Sequence, residues 1–246
     1  MTLDQTFALN RRSILLGGAA LFAFAAVNAP WKAFAAAKSL KIGIIGSGRI
    51  GGKLAEYWAN AGHQVMVSSQ NLDEMKTLAA KIGHGVKAGS AKEAAAFGEV
   101  VLISVPFKAL PQIGVDYAAE LKGKVVLDTC NPSERRDGDM AREAIEKGTG
   151  VTDPVFLPGT RWVRAFNTVN FMGLNSEAHR SGELVGVPLA SNDKGALDVA
   201  SQLVRDAGFE PVVVGDVSTA KIFDPGTPIY GKAFPASDVK TALGVK

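Results

Sequence analysis

The sequence predicts an α/β protein: a doubly wound, mostly parallel sheet with helices on both faces, followed by a short C-terminal extension. Three observations predict it. Short runs rich in Val and Ile recur along the chain and are apolar throughout, as strands buried on both faces must be. Segments with apolar residues at helical spacing alternate with those runs. A glycine-rich turn, Gly46-Ser47-Gly48-Arg49-Ile50-Gly51, joins the first run to the first helical segment.

The chain opens on a different signal. Arg11 and Arg12 precede an apolar run, Ile14–Val27, which ends near the small residues of Ala33-Phe34-Ala35-Ala36-Ala37. A membrane span needs about 20 apolar residues, more than this run holds. Basic, apolar and small segments in that order describe a cleavable export signal over residues 1–37, with an uncleaved amphipathic start as the alternative. Asn10-Arg11-Arg12-Ser13-Ile14-Leu15 resembles a twin-arginine (Tat) signal, which implies export of the folded protein by the Tat machinery to the periplasm. If the signal is not used, the protein stays in the cytoplasm. The chain carries 27 Lys and Arg against 24 Asp and Glu; losing Arg11, Arg12, Lys32 and Asp4 with the signal leaves 24 and 23. A nearly balanced chain with no basic run offers nothing for nucleic acid.

The elements follow in order. "LKIGII" (40–45) is the first strand. Ile50, Leu54, Tyr57, Trp58 and Ala61 then share a helix face that Gly62 ends. "QVMVSS" (64–69) is the second strand, and Asn71 caps a helix running to about Ile82. A weaker strand lies near Val86. "VVLISV" (100–105) is stopped by Pro106, and a helical stretch runs to about Leu121. "KVVLDT" (124–129) is a strand and "GDMAREAIEKG" a helix. "WVRAFNTV" (162–169) and "ELVGVPLA" (183–190) read as strands. Asn192 or Asp193 caps a helix with Leu197, Ala200, Leu203, Val204 and Ala207 on one face, ended by Gly208. "PVVVG" (211–215) is the last strand. The main domain thus spans 38–216. The tail, 217–246, is rich in Pro and Gly before a short terminal helix in "ASDVKTALGV"; it is expected to pack on the sheet or on a partner subunit.

The glycine turn matches G-x-G-x-x-G and has the context that gives this pattern meaning, a strand before and a helix after. Gly46 permits the tight turn, Gly48 lets the backbone approach a pyrophosphate, and Gly51 lets helix and strand pack closely. This is the fingerprint of a Rossmann dinucleotide site. A preference for NAD would show as an acidic residue about 20 residues on. Val67-Ser68-Ser69-Gln70-Asn71 holds none. Ser68, Ser69 and Gln70 can donate hydrogen bonds to a 2′-phosphate and Arg49 can add charge, which favours NADP, with NAD the alternative. Ligands in such sheets lie beyond the carboxyl ends of the strands. That places Val105-Pro106, Thr129–Pro132 and Asn167–Asn170 around the site.

By "GSGRIG", "SVPF", "DTCNP" and "VRAFNT" the chain resembles the NADP-dependent deazaflavin (coenzyme F-420) reductases, a group related to the NADPH-using domains of membrane metalloreductases. The resemblance covers residues 40–215 with the motifs in the family's order. It implies a homodimer that transfers hydride between NADPH and a deazaflavin or flavin. It places Ser47 and Ile50 in the cofactor loop, Ser104, Val105 and Pro106 beside the cofactor, Asn131 and Pro132 near the nicotinamide, and Asn167 and Thr168 on the substrate side. The chain departs from the family at Gln70, where an arginine usually follows the serine that ends the second strand.

No catalytic acid or base is assigned. His63 lies in a helix stop, where a cation favours the helix dipole, and His84 and His179 lie in polar connections. No metal motif is present. Cys130, the single cysteine, reads as a small buried residue and allows no internal disulfide. Asp128 either orients polar groups or caps its loop. Tyr230 could reach a site from a partner chain. An imine or carbonyl reductase is the first alternative and needs a proton donor; a non-catalytic dinucleotide sensor is the second.

Overall fold

The computed structural model describes residues 38–245; the expected signal segment lies outside the described residues. Eight strands form one sheet in the order β3-β2-β1-β4-β5-β6-β7-β8. They are β1 Lys41–Ile45, β2 Gln64–Ser68, β3 Lys87–Ala88, β4 Val100–Ile103, β5 Val125–Asp128, β6 Arg161–Arg164, β7 Gly186–Ala190 and β8 Glu210–Gly215. The first six are parallel. β7 runs antiparallel to β6, and β8 runs parallel to β7. The sheet is therefore the Rossmann order with two reversed strands added at one edge.

The helices are α1 Arg49–Asn60, α2 Leu72–Ile82, α3 Ala91–Phe97, α4 Leu110–Asp116, α5 Ala118–Leu121, α6 Glu134–Asp137, α7 Asp139–Lys147, α8 Thr149–Phe156, α9 Phe171–Ser176, α10 Lys194–Asp206 and α11 Ala236–Leu243. Strand side chains alternate between two cores, one on each face. Val100, Leu102, Val125 and Leu127 join the core that holds Leu54, Trp58 and Leu203 of α1 and α10. Val101, Ile103 and Val126 join the core that holds Phe107, Leu110 and Phe223. Burying both faces is what requires strands with no polar side. Trp58 also donates from Nε1 to the Leu203 carbonyl at 2.8 Å, tying the two helices of the first face.

Most of the expected strands lose a residue or two at their ends, and two lose three or more. "WVRAFNTV" stops at Arg164 because Phe166 adopts φ +56°, the left-handed region, and turns the chain away from the sheet. An aromatic residue there costs about 1–2 kcal/mol. Burial of its ring edge-on to Trp58 and Phe209, at 6.1 and 6.2 Å, offsets that cost. "ELVGVPLA" enters the sheet only at Gly186, since Val185 bridges to Pro235 of the tail instead. The helical stretch before Leu121 is broken into a 3₁₀ turn at Phe107–Ala109 and the short α4 and α5.

The tail packs on its own sheet. A 3₁₀ segment, Val217–Phe223, is followed by an irregular loop and by α11. Phe223, Ile229, Ala236 and Val239 are all buried in the second core, so this segment completes the main domain. Among the described residues no helix is long and apolar enough to cross a membrane.

Candidate functional site

The register of the parallel strands sets the site. Ser68 lies level with Ile45, Ile45 with Ile103, Ile103 with Asp128, and Asp128 with Arg164. Five strand ends are therefore aligned along one edge, and the segments that follow them meet there. Strand order reverses between β1 and β4, which is where such sheets open a crevice.

The glycine turn leaves β1 at that crevice. Gly46 has φ +93°, and a Cβ there would strike the Ser104 carbonyl, so the loops after β1 and β4 touch through glycine. A Cβ on Gly51 would strike the Gly46 carbonyl, which holds α1 close against its own strand. Gly48 differs from both. It is exposed, has an ordinary φ of −74°, and a Cβ there would meet nothing within 4 Å. This is the open approach that a pyrophosphate would fill. Gly48 is also the N-cap of α1, and no side chain caps the helix there. Its first N–H groups and the positive end of its dipole are left for an anion. The residues present thus fit a dinucleotide.

The other cofactor residues sort into supports and candidates for contact. Ser47 is buried and its Oγ accepts from Ser68 N at 3.1 Å. Ser68, expected to help bind a 2′-phosphate, has another role: it is fully buried and its hydroxyl donates to the Ile44 carbonyl at 2.7 Å. Inward-facing polar groups at a strand end must be paired, and this serine is. Ser69 forms a turn with Asn71, its Oγ accepting from Asn71 N at 3.1 Å, and Gln70 is exposed beside it. Asn71 caps α2 through Asp73 N and Glu74 N, and its Nδ2 donates to Glu74 Oε1 at 2.8 Å. Ser104 and Val105 are half-buried and Pro106 is exposed at the mouth of the crevice.

Beyond the turn lies a cleft of about 290 Å³, lined by Arg49, Ile50, Thr129, Asn131, Phe166, Asn167, Thr168, Val169, Asn170, Phe171, Tyr230 and Gly231. The expected residues Arg49, Ile50, Asn131, Asn167 and Thr168 are all brought together here. Arg49 is exposed, with its guanidinium carbon 5.6 Å from the centre of the Phe171 ring. It also borders a second cleft of about 400 Å³ that includes Gly48, Lys53 and Lys81. Tyr230 reaches the first cleft from the protein's own tail.

The floor behind this cleft is a buried charge cluster. Arg164 is fully buried at the end of β6. Its Nη1 donates to the Cys130 carbonyl at 2.6 Å, and its Nη2 to Asn131 Oδ1 at 2.8 Å and Asp224 Oδ1 at 3.2 Å. Two further carboxylates face it, Asp128 at 3.6 Å and Asp153 at 3.9 Å. Asp128 accepts from Cys130 N at 2.8 Å and from Trp162 Nε1 at 3.1 Å, so it both caps its loop and orients its neighbours. Asp224 accepts from Thr149 N and Oγ1 at 2.8 and 2.6 Å. Asp153 keeps only Thr152 as a hydrogen-bond partner, through Oδ1 at 2.8 Å; Oδ2 has none. Burial and the charge of Asp128 push its carboxyl well above the usual range. Burial does the same to the Cys130 thiol, with Asp128 adding to it, which makes Cys130 a packing residue.

Through this cluster Asn131 is held at both ends, its Nδ2 donating to the Asn167 carbonyl at 2.9 Å. Asn167 Nδ2 donates to the Phe223 carbonyl at 3.0 Å. Spacing alone did not reveal the cluster, but one signal was present: a basic residue inside the apolar run of "WVRAF" demands buried acidic partners. The histidines lie elsewhere. His63, read as structural, accepts from Leu40 N at Nδ1 and pairs with Asp206 at Nε2, 2.9 Å, so it ties the entry to β1 to α10.

A glycine cradle at the switch point of such a sheet defines a Rossmann dinucleotide-binding protein, here with a polar cleft beside the cradle. Residues 41–132 match the family described as NADP oxidoreductase, coenzyme F420-dependent. A relative, the F420-dependent NADP reductase of Methanothermobacter thermautotrophicus, is 28% identical over 206 residues, covering 77% of this chain and 87% of its own. The Metalloreductase STEAP3 of Rattus norvegicus is 26% identical over 74% of this chain, which spans only 35% of that protein. A solved hypothetical protein from Sinorhizobium meliloti shares the fold with a TM-score of 0.71 at 24% identity, covering 80% of this chain and 95% of its own.

Two predictions follow from the geometry. Gly48→Val meets open space, so its melting temperature should stay within about 2 °C of the parent while dinucleotide affinity falls about tenfold or more. Gly51→Ala should instead destabilise by about 1–3 kcal/mol through the forced shift of α1. Thermal melts and fluorescence titration with NADPH distinguish the two. The second concerns Asp153, whose carboxyl holds its proton more tightly in the folded state. Its contribution is present below the unfolded value of about 3.9 and is lost as pH rises through the folded value. Asp153→Asn, neutral at every pH, should therefore gain in stability relative to the parent as pH rises, read by urea denaturation at pH 5, 7 and 9.

Proposed function

We propose that this protein is an NADP-dependent oxidoreductase that passes hydride between the nicotinamide and a deazaflavin, with a flavin or similar small acceptor as the variant of the same chemistry. One observation carries the reading: an uncapped helix end behind an unobstructed Gly48 opens next to a polar cleft walled by Asn131, Asn167 and Tyr230. The name of the Methanothermobacter relative supports the acceptor class. A bound nicotinamide supplies the hydride chemistry. The chain's own part is to hold the pyrophosphate on the N–H groups of Gly48 to Gly51, to seat the ring against the strand ends, and to keep both reactants in one geometry.

Choice of NADP over NAD rests on the end of β2, where Ser69 and Gln70 stand in place of an acid. The protein is further read as a homodimer, exported already folded under the twin-arginine signal of residues 1–37. A Rossmann domain loaded with dinucleotide in the cytoplasm is stabilised by about 4 kcal/mol when ligand exceeds Kd a thousandfold. Export of the loaded form would let a protein outside the cytoplasm keep a cofactor that is not free there.

The direct test is oxidation of NADPH with a 5-deazaflavin, a flavin and a small cyclic imine as acceptors. Turnover with the deazaflavin is the expected result, and turnover with the imine alone would move the protein to another class of reductase. Ser69→Asp should raise the Kd for NADPH by about tenfold or more, through repulsion of the 2′-phosphate, and leave the Kd for NADH within about twofold.

A further inference from the structure

We propose that Tyr230 is the hydrogen-bond donor that recognises the hydride acceptor, its phenolic O–H pointing the site toward a molecule with a carbonyl oxygen or ring nitrogen that gains charge on reduction. The inference rests on the reading of the cleft as the place where nicotinamide and acceptor meet.

Tyr230 is held in place by the loop it belongs to. That loop is stitched to the segment after β6 by three hydrogen bonds: Asn167 Nδ2 to the Phe223 carbonyl at 3.0 Å, Gly231 N to the Thr168 carbonyl at 2.8 Å, and Asn170 Nδ2 to the Gly231 carbonyl at 2.7 Å. Tyr230 N itself donates to the Thr227 carbonyl at 3.1 Å. The ring is half-buried in the cleft wall, yet its hydroxyl forms no hydrogen bond with any described residue. Open to the cleft, that hydroxyl is free to donate to a bound molecule.

Of the neighbouring donors, Arg49 lies over the Phe171 ring, and two asparagines and Thr129 are already engaged. Asn131 Nδ2 is given to the Asn167 carbonyl, Asn170 Nδ2 to Gly231, and Thr129 Oγ1 to the Ile103 carbonyl at 3.2 Å. Tyr230 and Thr168 are the cleft-lining side chains left with a hydroxyl to offer, and the phenol of Tyr230 is the more acidic of the two and so the stronger neutral donor. It stays an O–H donor: burial pushes its pKa up, against the opposing pull of Arg164 and Arg136, while Asp224 adds to the rise.

The chemistry has a use for such a donor. The nicotinamide C–H bond breaks and its electron pair forms a new C–H bond on the acceptor, so the nicotinamide is oxidised and the acceptor reduced. Negative charge moves onto a conjugated oxygen or nitrogen of the acceptor until water supplies a proton. A donor fixed at that atom stabilises the charge as it develops, an effect worth about 100-fold to 1,000-fold when the site excludes water. In a half-open cleft the effect should be nearer tenfold.

Tyr230→Phe keeps the ring and removes the hydroxyl. Three quantities test it: the Kd of a 5-deazaflavin for the NADP⁺-loaded protein, read by fluorescence; the Kd for NADPH; and kcat with ordinary and 4-deuterated NADPH. The expected result is about a tenfold loss in kcat and a weaker deazaflavin Kd. NADPH affinity should stay within twofold, and the isotope effect should be larger, because hydride transfer has become the slow step. Unchanged kcat and deazaflavin affinity would overturn the proposal. So would parallel losses in NADPH affinity and melting temperature, which would make Tyr230 a packing residue. An unaltered protein that binds NADPH but reduces no deazaflavin or flavin would overturn the reading of the site itself, and the role of Tyr230 with it.

Discussion

The buried guanidinium of Arg164 is the point through which the site is assembled. It sits at the end of β6 with no exposure and reaches the loop after β5, at Cys130 and Asn131, and the tail, at Asp224. A charge so placed is tolerable only where its partners surround it, and three aspartates do. Removing Arg164 would leave the aspartates buried without compensation. Side chains that merely pack could not demand this. The cluster therefore fixes which loop conformations are allowed at the carboxyl edge of the sheet, and the cleft residues inherit their positions from it. Burial and the neighbouring charge of Asp128, only partly opposed by the one cation, push the carboxyl of Asp153 upward.

The two halves of the site follow different physics. The dinucleotide half is built by backbone: glycines that allow close approach, a helix end without a cap, strand ends in register. The acceptor half is built by side chains, its three asparagines each tied to a carbonyl some distance away in sequence. This division accounts for what could be read beforehand. The glycine turn was legible because all of its roles are local and each needs glycine. The strands were legible where both faces are apolar. The left-handed turn at Phe166 was not, since a bulky residue adopts it only under tertiary constraint. Nor was α8, where Gly150 packs against the Val217 carbonyl and Pro154 sits inside the helix. The partners of Arg164 come from residues 128, 153 and 224, a grouping that no spacing rule detects. Ser68 shows the converse, a residue well placed by sequence whose hydroxyl is turned inward.

The two reversed strands give the edge of the sheet its second purpose. β7 and β8 bring the chain back so that residues 217–245 follow the sheet, where Phe223, Ile229 and Val239 enter the second core. Val185 bridging to Pro235 and Glu183 accepting from Ser237 N at 2.6 Å seal that return. The extension thereby behaves as structure that the main domain requires, and its Pro- and Gly-rich composition reflects a path that must bend sharply to reach the cleft.

The acceptor wall is finished by the segment from Phe223 to Gly231, close to the end of the chain. During synthesis that segment is the last of the site to leave the ribosome, whereas the strands and turn of the dinucleotide cradle, residues 41–106, emerge first. Domains generally fold as units. Since Phe223, Ile229 and Val239 belong to the second core and Asp224 to the Arg164 cluster, the cradle cannot settle before this segment arrives. At about 5–20 residues per second the early strands wait some seconds for it, and the means to take up a nucleotide and the means to use one come into being together.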